Sequence, residues 1–343
     1  MPPPFTQTDF VVVDTPMLAH QAFYGSGMEL RNRDGRPTGI YSGVWATIAK
    51  IQRELQPSHI LVAFEGETLD RRTLFPAYKA GRSAKAPDFM EQMKFLPQFC
   101  ERMGWTVLQQ DGLEADDMIA SFATQASKRG KTTAIFTKDK DILQLMDDNT
   151  GVYQREKGTY FFVTEDEVVE RYGVPPKLVS EVLFLAGDTS DNIPGVHKLG
   201  VKGAAALVNK YGSADAVYDH LEDHSESLRG RLVSSRESYL LSKKLVQLVT
   251  NVQFPESHFE PAPPPDRDVV IKVFNKLDMA AARSRFERDS DPRVAKPATP
   301  PPSPNAVPGA GYGQPTRLPA PPSIPVAAPE APALAGAGQL EMF

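Results

Sequence analysis

Short apolar runs alternate with longer helical stretches along the first half of the chain. FVVVD (10–14), HILVAF (59–64), WTVLQ (105–109) and TAIFT (133–137) are brief, rich in β-branched residues and bounded by polar ones. That pattern predicts buried strands. Between them, spacings such as Val44, Ile48, Ile51 and Leu55 put apolar side chains on one helical face. Strand and helix signals in this rhythm predict a mainly parallel central sheet with crossover helices, an α/β core over residues 8–175. From about residue 176 the pattern is all helix, as in KLVSEVLFLAG (177–187), GAAALVNKYG (203–212) and ESYLLSKKLVQLV (237–249). A Pro-rich stretch, PAPPPDRD (261–268), precedes a last amphipathic piece, VVIKVFNKLDMAAARSRF, so the helical region is expected to run over 176–287.

Composition changes sharply near residue 290. Fourteen of the 31 prolines lie between Pro292 and Pro332. Segments that poor in large apolar groups cannot offset the entropy of ordering, so 288–338 is expected to be a disordered linker. It ends in QLEMF, residues 339–343, where Leu340, Met342 and Phe343 are apolar groups in need of a partner. Apolar residues make up 41% of the whole, enough for a sizeable core. A single cysteine, Cys100, excludes an intrachain disulfide. Neither a signal-peptide pattern nor a run of about 18 apolar residues is present, so a cytoplasmic, nucleoid-associated protein with no membrane contact is expected. The formal net charge of −5 would argue against a nucleic-acid partner if the charges were evenly spread. They are not.

Acids close the expected strands. Asp14 ends FVVVD, Glu65 follows HILVAF, and Asp139 and Asp141 follow TAIFT in TKDKD. Glu114, Asp116 and Asp117 stand in LEADD, at the start of an amphipathic helix. A bland reading makes LEADD a complement to that helix's dipole, but it leaves the acids after three other strands unexplained. Asp188 and Asp191 sit three apart in AGDTSDNIPG, where turn chemistry is the alternative. Sites in open α/β sheets form at the carboxyl ends of the strands. Converging carboxylates repel unless cations neutralise them. An all-oxygen set without accompanying His or Cys favours Mg²⁺, or Mn²⁺ as a substitute, over zinc. Two such ions would suit phosphoryl transfer.

Basic residues cluster elsewhere. DRRTLFPAYKAGRSAK (70–85) carries Arg71, Arg72, Lys79, Arg82 and Lys85, interleaved with Phe75 and Tyr78. It reads either as a solvated basic helix or as a single-strand channel with cations for phosphates and rings for bases. GVHKLGVKGAAALVNKYG (195–212) opens a helix after a glycine-containing hairpin, a common turn that can also present backbone N–H groups to an anion.

LEADD, TKDKDILQL, YGVPP and GDTSDNIPG, in this order and spacing, resemble the 5′ nucleases, which include the nuclease domain of bacterial DNA polymerase I, phage 5′ exonucleases and flap endonucleases. The resemblance covers about residues 8–287 and implies a PIN-like core with a helical arch over about 70–95. It also implies a helix-hairpin-helix over about 187–212. By resemblance the metal-site acids are Asp14, Glu65, Glu114, Asp116, Asp117, Asp139, Asp141, Asp188 and Asp191, the last three leaning toward a second metal. Lys79 and Arg82 would act in catalysis, Lys79 on the scissile phosphate. Arg71, Arg72 and Tyr78 in the arch and Gly200, Lys202 and Gly203 in the hairpin would contact DNA, with K⁺ at the hairpin. Three positions depart from the family pattern: Glu65 where Asp is usual, Gln21 where Arg is frequent, and Lys138 where Gly precedes the Asp-Lys-Asp string.

The implied activity is metal-dependent 5′–3′ exonuclease and 5′-flap endonuclease cleavage of DNA and of RNA primers on DNA. No polymerase-like segment follows, so a monomeric, stand-alone enzyme is expected. The rivals are a small RNase on the same sheet and a non-catalytic DNA-structure binder with Glu65 marking decay. QLEMF resembles the peptide by which replication proteins dock on the bacterial sliding clamp, with Gln339 at the rim and Leu340, Met342 and Phe343 in the pocket.

Overall fold

Among the described residues five of the six strands run parallel, with helices between β1 and β2, β2 and β3, and β3 and β4, and a short 3-10 turn between β4 and β5. The computed structural model describes residues 4–67 and 70–290; QLEMF and the Pro-rich segment lie outside them. The sheet order is β3-β2-β1-β4-β5-β6. Its strands are β1 (Phe10–Asp14), β2 (His59–Ala63), β3 (Thr106–Leu108), β4 (Thr133–Phe136), β5 (Thr150–Glu156) and β6 (Thr159–Phe162). The first four fall where the apolar runs place them. The β5–β6 hairpin, the one antiparallel pair, was not legible.

Helices α1 (Thr15–Ala22) and α2 (Gly39–Leu55) link β1 to β2, and α2 buries Val44, Ile48 and Ile51 as its spacing predicts. Then come α3 (Asp70–Leu74), α4 (Pro87–Arg102) and α5 (Ala115–Lys128). The all-helical half begins with α6 (Glu165–Tyr172), capped by Thr164 and ended by left-handed Gly173. It continues with α7 (Val179–Ala186), α8 (Val201–Tyr211), α9 (Ala214–Asp219), α10 (Glu226–Ser234), α11 (Arg236–Val246) and α12 (Arg267–Lys276). Among the described residues no helix is long and apolar enough to cross a membrane.

Strand order reverses between β1 and β4. In such sheets that reversal opens a crevice at the carboxyl ends. The register brings those ends level, Val13 standing opposite both Val62 and Phe136. One hydrophobic core, from Phe10 and Leu61 through Phe122 to Leu183, Val208 and Tyr239, runs from the sheet into the helices.

An ion pair also joins the two parts. Arg71 on α3 is buried and donates from Nη1 and Nη2 to Asp117 of α5, at 2.8 Å for Nη2 to Oδ1. Its Nε reaches the carbonyl of Leu245 and its Nη2 that of Gln247, at the end of α11 and just beyond. The expectation that Arg71 contacts DNA is therefore corrected: every nitrogen of its fork is spent inside the protein. Removing one partner of such a pair leaves the other charged, buried and alone, at a cost of about 3–5 kcal/mol. Arg71→Met should lower unfolding free energy in a urea titration by about that much. Arg72→Met, on the exposed side of the same helix, should stay within about 0.5 kcal/mol.

Candidate active site

The site starts at Asp14. It ends β1 and caps α1, accepting from the Met17 N–H at 3.1 Å with one oxygen and from the Thr137 hydroxyl at 2.7 Å with the other. Thr137, just past β4, accepts in turn from the Asp139 N–H at 2.9 Å, and Asp139 accepts from the Asp141 N–H at 2.8 Å. A chain of local bonds thus ties the acids of two adjacent strand ends together. Asp116, on the first turn of α5, shares their electrostatic field.

Burial and repulsion act on all of them. Burial, then the charges of Asp139 and Glu65, push the Asp14 carboxyl up to about 6 despite its hydrogen bonds. Asp116 and Asp141 rise well above the ordinary carboxylate range, first through burial and then through Asp139. Burial also raises Asp139. In each, burial and mutual repulsion outweigh the hydrogen bonds and the nearby cations.

A second loop faces this row. Asp188 and Ile193 exchange backbone bonds of 2.9 and 2.7 Å, which closes the loop carrying Asp188 and Asp191. Gly187 and Gly195 make that closure possible. Both are left-handed, with φ of 70° and 63°, and a Cβ on either would lie about 2.5 Å from backbone atoms of the other side. The sequence signal for them is the pair of glycines flanking DTSDNIP.

Side-chain cations lie among the acids. Lys79 Nζ donates to Glu114 at 3.0 Å, Arg82 Nη2 to Asp191 at 2.7 Å, and Lys140 Nζ to Asp188 at 2.6 Å. Burial would lower the Lys79 ammonium, but Glu114, with Asp116 and Asp191, outweighs it and keeps it charged. Burial would likewise raise Asp188, but Lys140 and Ser190 outweigh it and hold that carboxyl below its ordinary value.

Several expectations change here. Helix is interrupted within residues 70–95: α3 lasts five residues, Pro76 follows it, and a turn over 76–81 leads to α4. Tyr78 is buried, its hydroxyl donating to Glu114 at 3.0 Å, so it offers no ring face to a base. Lys79 is buried rather than displayed. Asp117 is fully buried and accepts from Arg71, the Glu114 N–H and the Val249 N–H, which leaves it a supporting role. Glu114 is shared by Arg71, Tyr78 and Lys79. Glu65 stands half-buried beyond β2, in the field of Asp14 and Arg82.

Among the described residues no three His, Cys, Asp or Glu side chains already close on a point that would hold a metal ion. The donor chemistry nevertheless fits hard cations. Asp141 Oδ1 is buried with no hydrogen-bond donor, and the charges of Asp139, Asp188 and Asp191 about it outweigh that of Lys140. All the candidate ligands are oxygens, the set that Mg²⁺, Mn²⁺ and Ca²⁺ prefer.

Farther out, Gly200 is the N-cap of α8, which follows α7 and the acid loop in helix-hairpin-helix order. Gly200, Lys202 and Gly203 are exposed on this first turn.

The structure thus places an acid-lined crevice at the strand-order reversal, beside a helical half. Residues 9–173 match the sequence model of the 5′-3′ exonuclease N-terminal resolvase-like domain, and residues 174–266 that of the 5′-3′ exonuclease C-terminal SAM fold. The chain belongs to the 5′–3′ exonuclease family. It is 30% identical over 262 residues to DNA polymerase I of Borreliella burgdorferi, covering 76% of this chain and 29% of that one. It is 32% identical over 288 residues to DNA polymerase I of Bacillus subtilis, covering 82% and 32%. The chain thus spans about a third of the length of these relatives. Among solved structures, bacteriophage T5 5′-exonuclease with bound zinc matches with a TM-score of 0.59 at 17% identity, covering 81% of this chain and 98% of that one. The catalytic core of Rad2 in complex with DNA substrate matches with a TM-score of 0.51 at 17% identity, covering 79% and 88%. These two likenesses are of fold.

The glycine argument is open to test. Gly187→Ala should cost about 2–4 kcal/mol of stability, through clash plus a left-handed alanine. Gly212→Ala, left-handed at φ 91° but with nothing within 4 Å of its Cβ, should cost about 1–2 kcal/mol in the same urea titrations.

Proposed function

We propose that this chain is a structure-specific, divalent-metal-dependent nuclease. It would degrade DNA from 5′ ends and cut 5′ flaps, and would remove RNA primers annealed to DNA in replication and repair. The observation that carries the reading is the convergence of Asp14, Asp116, Asp139 and Asp141 at the β1/β4 crevice, opposite Asp188 and Asp191. Family membership supports the reaction class, and the Rad2 core in complex with DNA substrate supports the choice of polymer.

Asp14, Asp116, Asp139 and Asp141, with Glu65 at the rim, would hold Mg²⁺, with Mn²⁺ as a substitute. Asp188 and Asp191 would hold a second ion once Lys140 turns away from Asp188. When bound, such ions lower the pKa of an attacking water and balance charge on the scissile phosphate. Lys79 uses one ammonium proton on Glu114 and keeps two for a phosphate oxygen. Arg82, half-exposed on Asp191, has further donors in its fork for the same anion. Gly200, Lys202 and Gly203 would grip duplex phosphate at the start of α8, with K⁺ at the hairpin. Exposed Arg72 would contribute sequence-independent charge.

The deciding experiment is cleavage of a 5′-flap duplex, with single-stranded RNA beside it, in Mg²⁺. Asp141→Ala should lower turnover by about 100-fold or more with DNA affinity within several-fold. A near-parental rate would remove the metal assignment. Lys79→Ala should depress the single-turnover rate, whereas Lys202→Ala should weaken binding and reduce the salt slope by about one unit.

The terminal QLEMF would dock on a bacterial sliding clamp, its tether raising the enzyme's effective concentration at replicated ends. Titration against the clamp should give a dissociation constant on the order of micromolar, abolished when residues 339–343 are deleted. Equal binding by both chains would refute the assignment.

A further inference from the structure

We propose that Asn192 is a positioning residue of this active site. Its amide, donated to the carbonyl of Ala77, latches the turn bearing Lys79 and Arg82 onto the loop bearing Asp188 and Asp191. The proposal rests on the function given above, in which those cations serve the phosphate and those acids the metal.

Three contacts join the turn to the loop, and all leave the loop from two consecutive residues. Asn192 Nδ2 donates to Ala77 O at 2.9 Å. Asp191 accepts from the Lys79 N–H through its backbone oxygen at 3.0 Å, and from Arg82 through its carboxylate at 2.7 Å. The latch thus touches the residues on either side of Tyr78 and reaches Arg82 at the turn's far end. Removing the Asn192 contact would leave the turn held by Asp191 and by Glu114 alone, and so looser relative to the acid loop.

The backbone shows why a latch is needed. Lys79 has φ 56° and Asn192 φ 60°, both in the left-handed region that residues with side chains seldom occupy. Asparagine tolerates it through its short polar side chain, and lysine has no such help. Lys79 is held there from both sides: its N–H goes out to Asp191 O and its ammonium goes back to Glu114. In this conformation the side chain runs inward and is buried against Glu114.

Asn192 is exposed, so burial does not account for its contact. The turn carries its own bonds, Tyr78 N–H to Phe75 O, Ala80 N–H to Ala77 O and Arg82 N–H to Lys79 O. Ala77 O already accepts from Ala80 and takes the Asn192 amide on its second lone pair. Losing Asn192 therefore unlatches the turn without dissolving it. The amide also suits its surroundings. A carboxylate at 192 could not donate to a carbonyl and would add negative charge beside Asp188 and Asp191.

The test uses the full chain with Asn192→Gly and Asn192→Asp. Glycine accepts the left-handed backbone freely but has no donor. Aspartate keeps size and shape but cannot donate. Single-turnover flap cleavage should fall about 10- to 100-fold in both, with DNA affinity within about threefold, because a catalytic group displaced by about 1 Å costs rate rather than binding. Amide exchange over residues 75–82 in the DNA-free protein should quicken about tenfold, while exchange in β1 and β4 should not change. Parental cleavage and exchange in Asn192→Gly would overturn the latch, as would a defect confined to Asn192→Asp, which would be an effect of charge. Lys79→Ala is measured alongside. If it cleaves at the parental rate, the role given to Lys79 fails. If it is impaired while Asn192→Gly is normal, only the latch fails.

Discussion

Carboxylates gathered at the buried end of a sheet repel one another, and most of this molecule's functional half is arranged around that repulsion. Asp14 is buried and Asp116, Asp139 and Asp141 are half-buried, so water screens the repulsion only in part, and the helix ends nearby carry only fractional charge. The protein answers with its own cations. Lys79 and Arg82 from one turn, and Lys140 from the loop after β4, each reach across to one acid of the set. The acids left without such a partner, Asp14, Asp116, Asp139 and Asp141, are those whose carboxyls rise. That unbalanced group lies at the strand-order reversal, where an open α/β sheet offers its crevice.

The same constraint explains the tie between the two halves. A helical region docked only through apolar contacts could slide relative to the sheet. The Arg71 fork, spent on Asp117 and on the carbonyls of Leu245 and Gln247, fixes the end of α11 against the start of α5. Because α7 packs on α11 and leads into the acid loop, Asp188 and Asp191 inherit that fixed position. A buried ion pair is poor at adding stability but good at setting one geometry, and here the geometry is what the site requires.

Much of this was legible because each signal was local. Strands β1 to β4 announced themselves as apolar β-branched runs, and the acids at their ends could be read directly behind them. The β5–β6 hairpin was missed because GVYQREKGTYFF mixes charge, aromatics and glycine with no long apolar run. The fate of the basic string was misjudged for a different reason. Arg71, Tyr78 and Lys79 look like a solvent-facing pattern, and only the fold brings Glu114 and Asp117 beneath them. Gly187 and Gly195 were equally visible, yet their need arises from a backbone approach that no single segment reveals.

The central claim is that the acids of the β1/β4 crevice, left without a lysine or arginine partner, are a divalent-cation site. The most direct measurement is an anomalous difference map from crystals of the protein soaked in Mn²⁺. The account predicts density among Asp14, Asp116, Asp139 and Asp141, at about 2.0–2.3 Å from carboxylate oxygens, with Lys140 displaced from Asp188 if a second ion enters. Crystals of cleavage-competent protein with no anomalous density at these strand ends would contradict it.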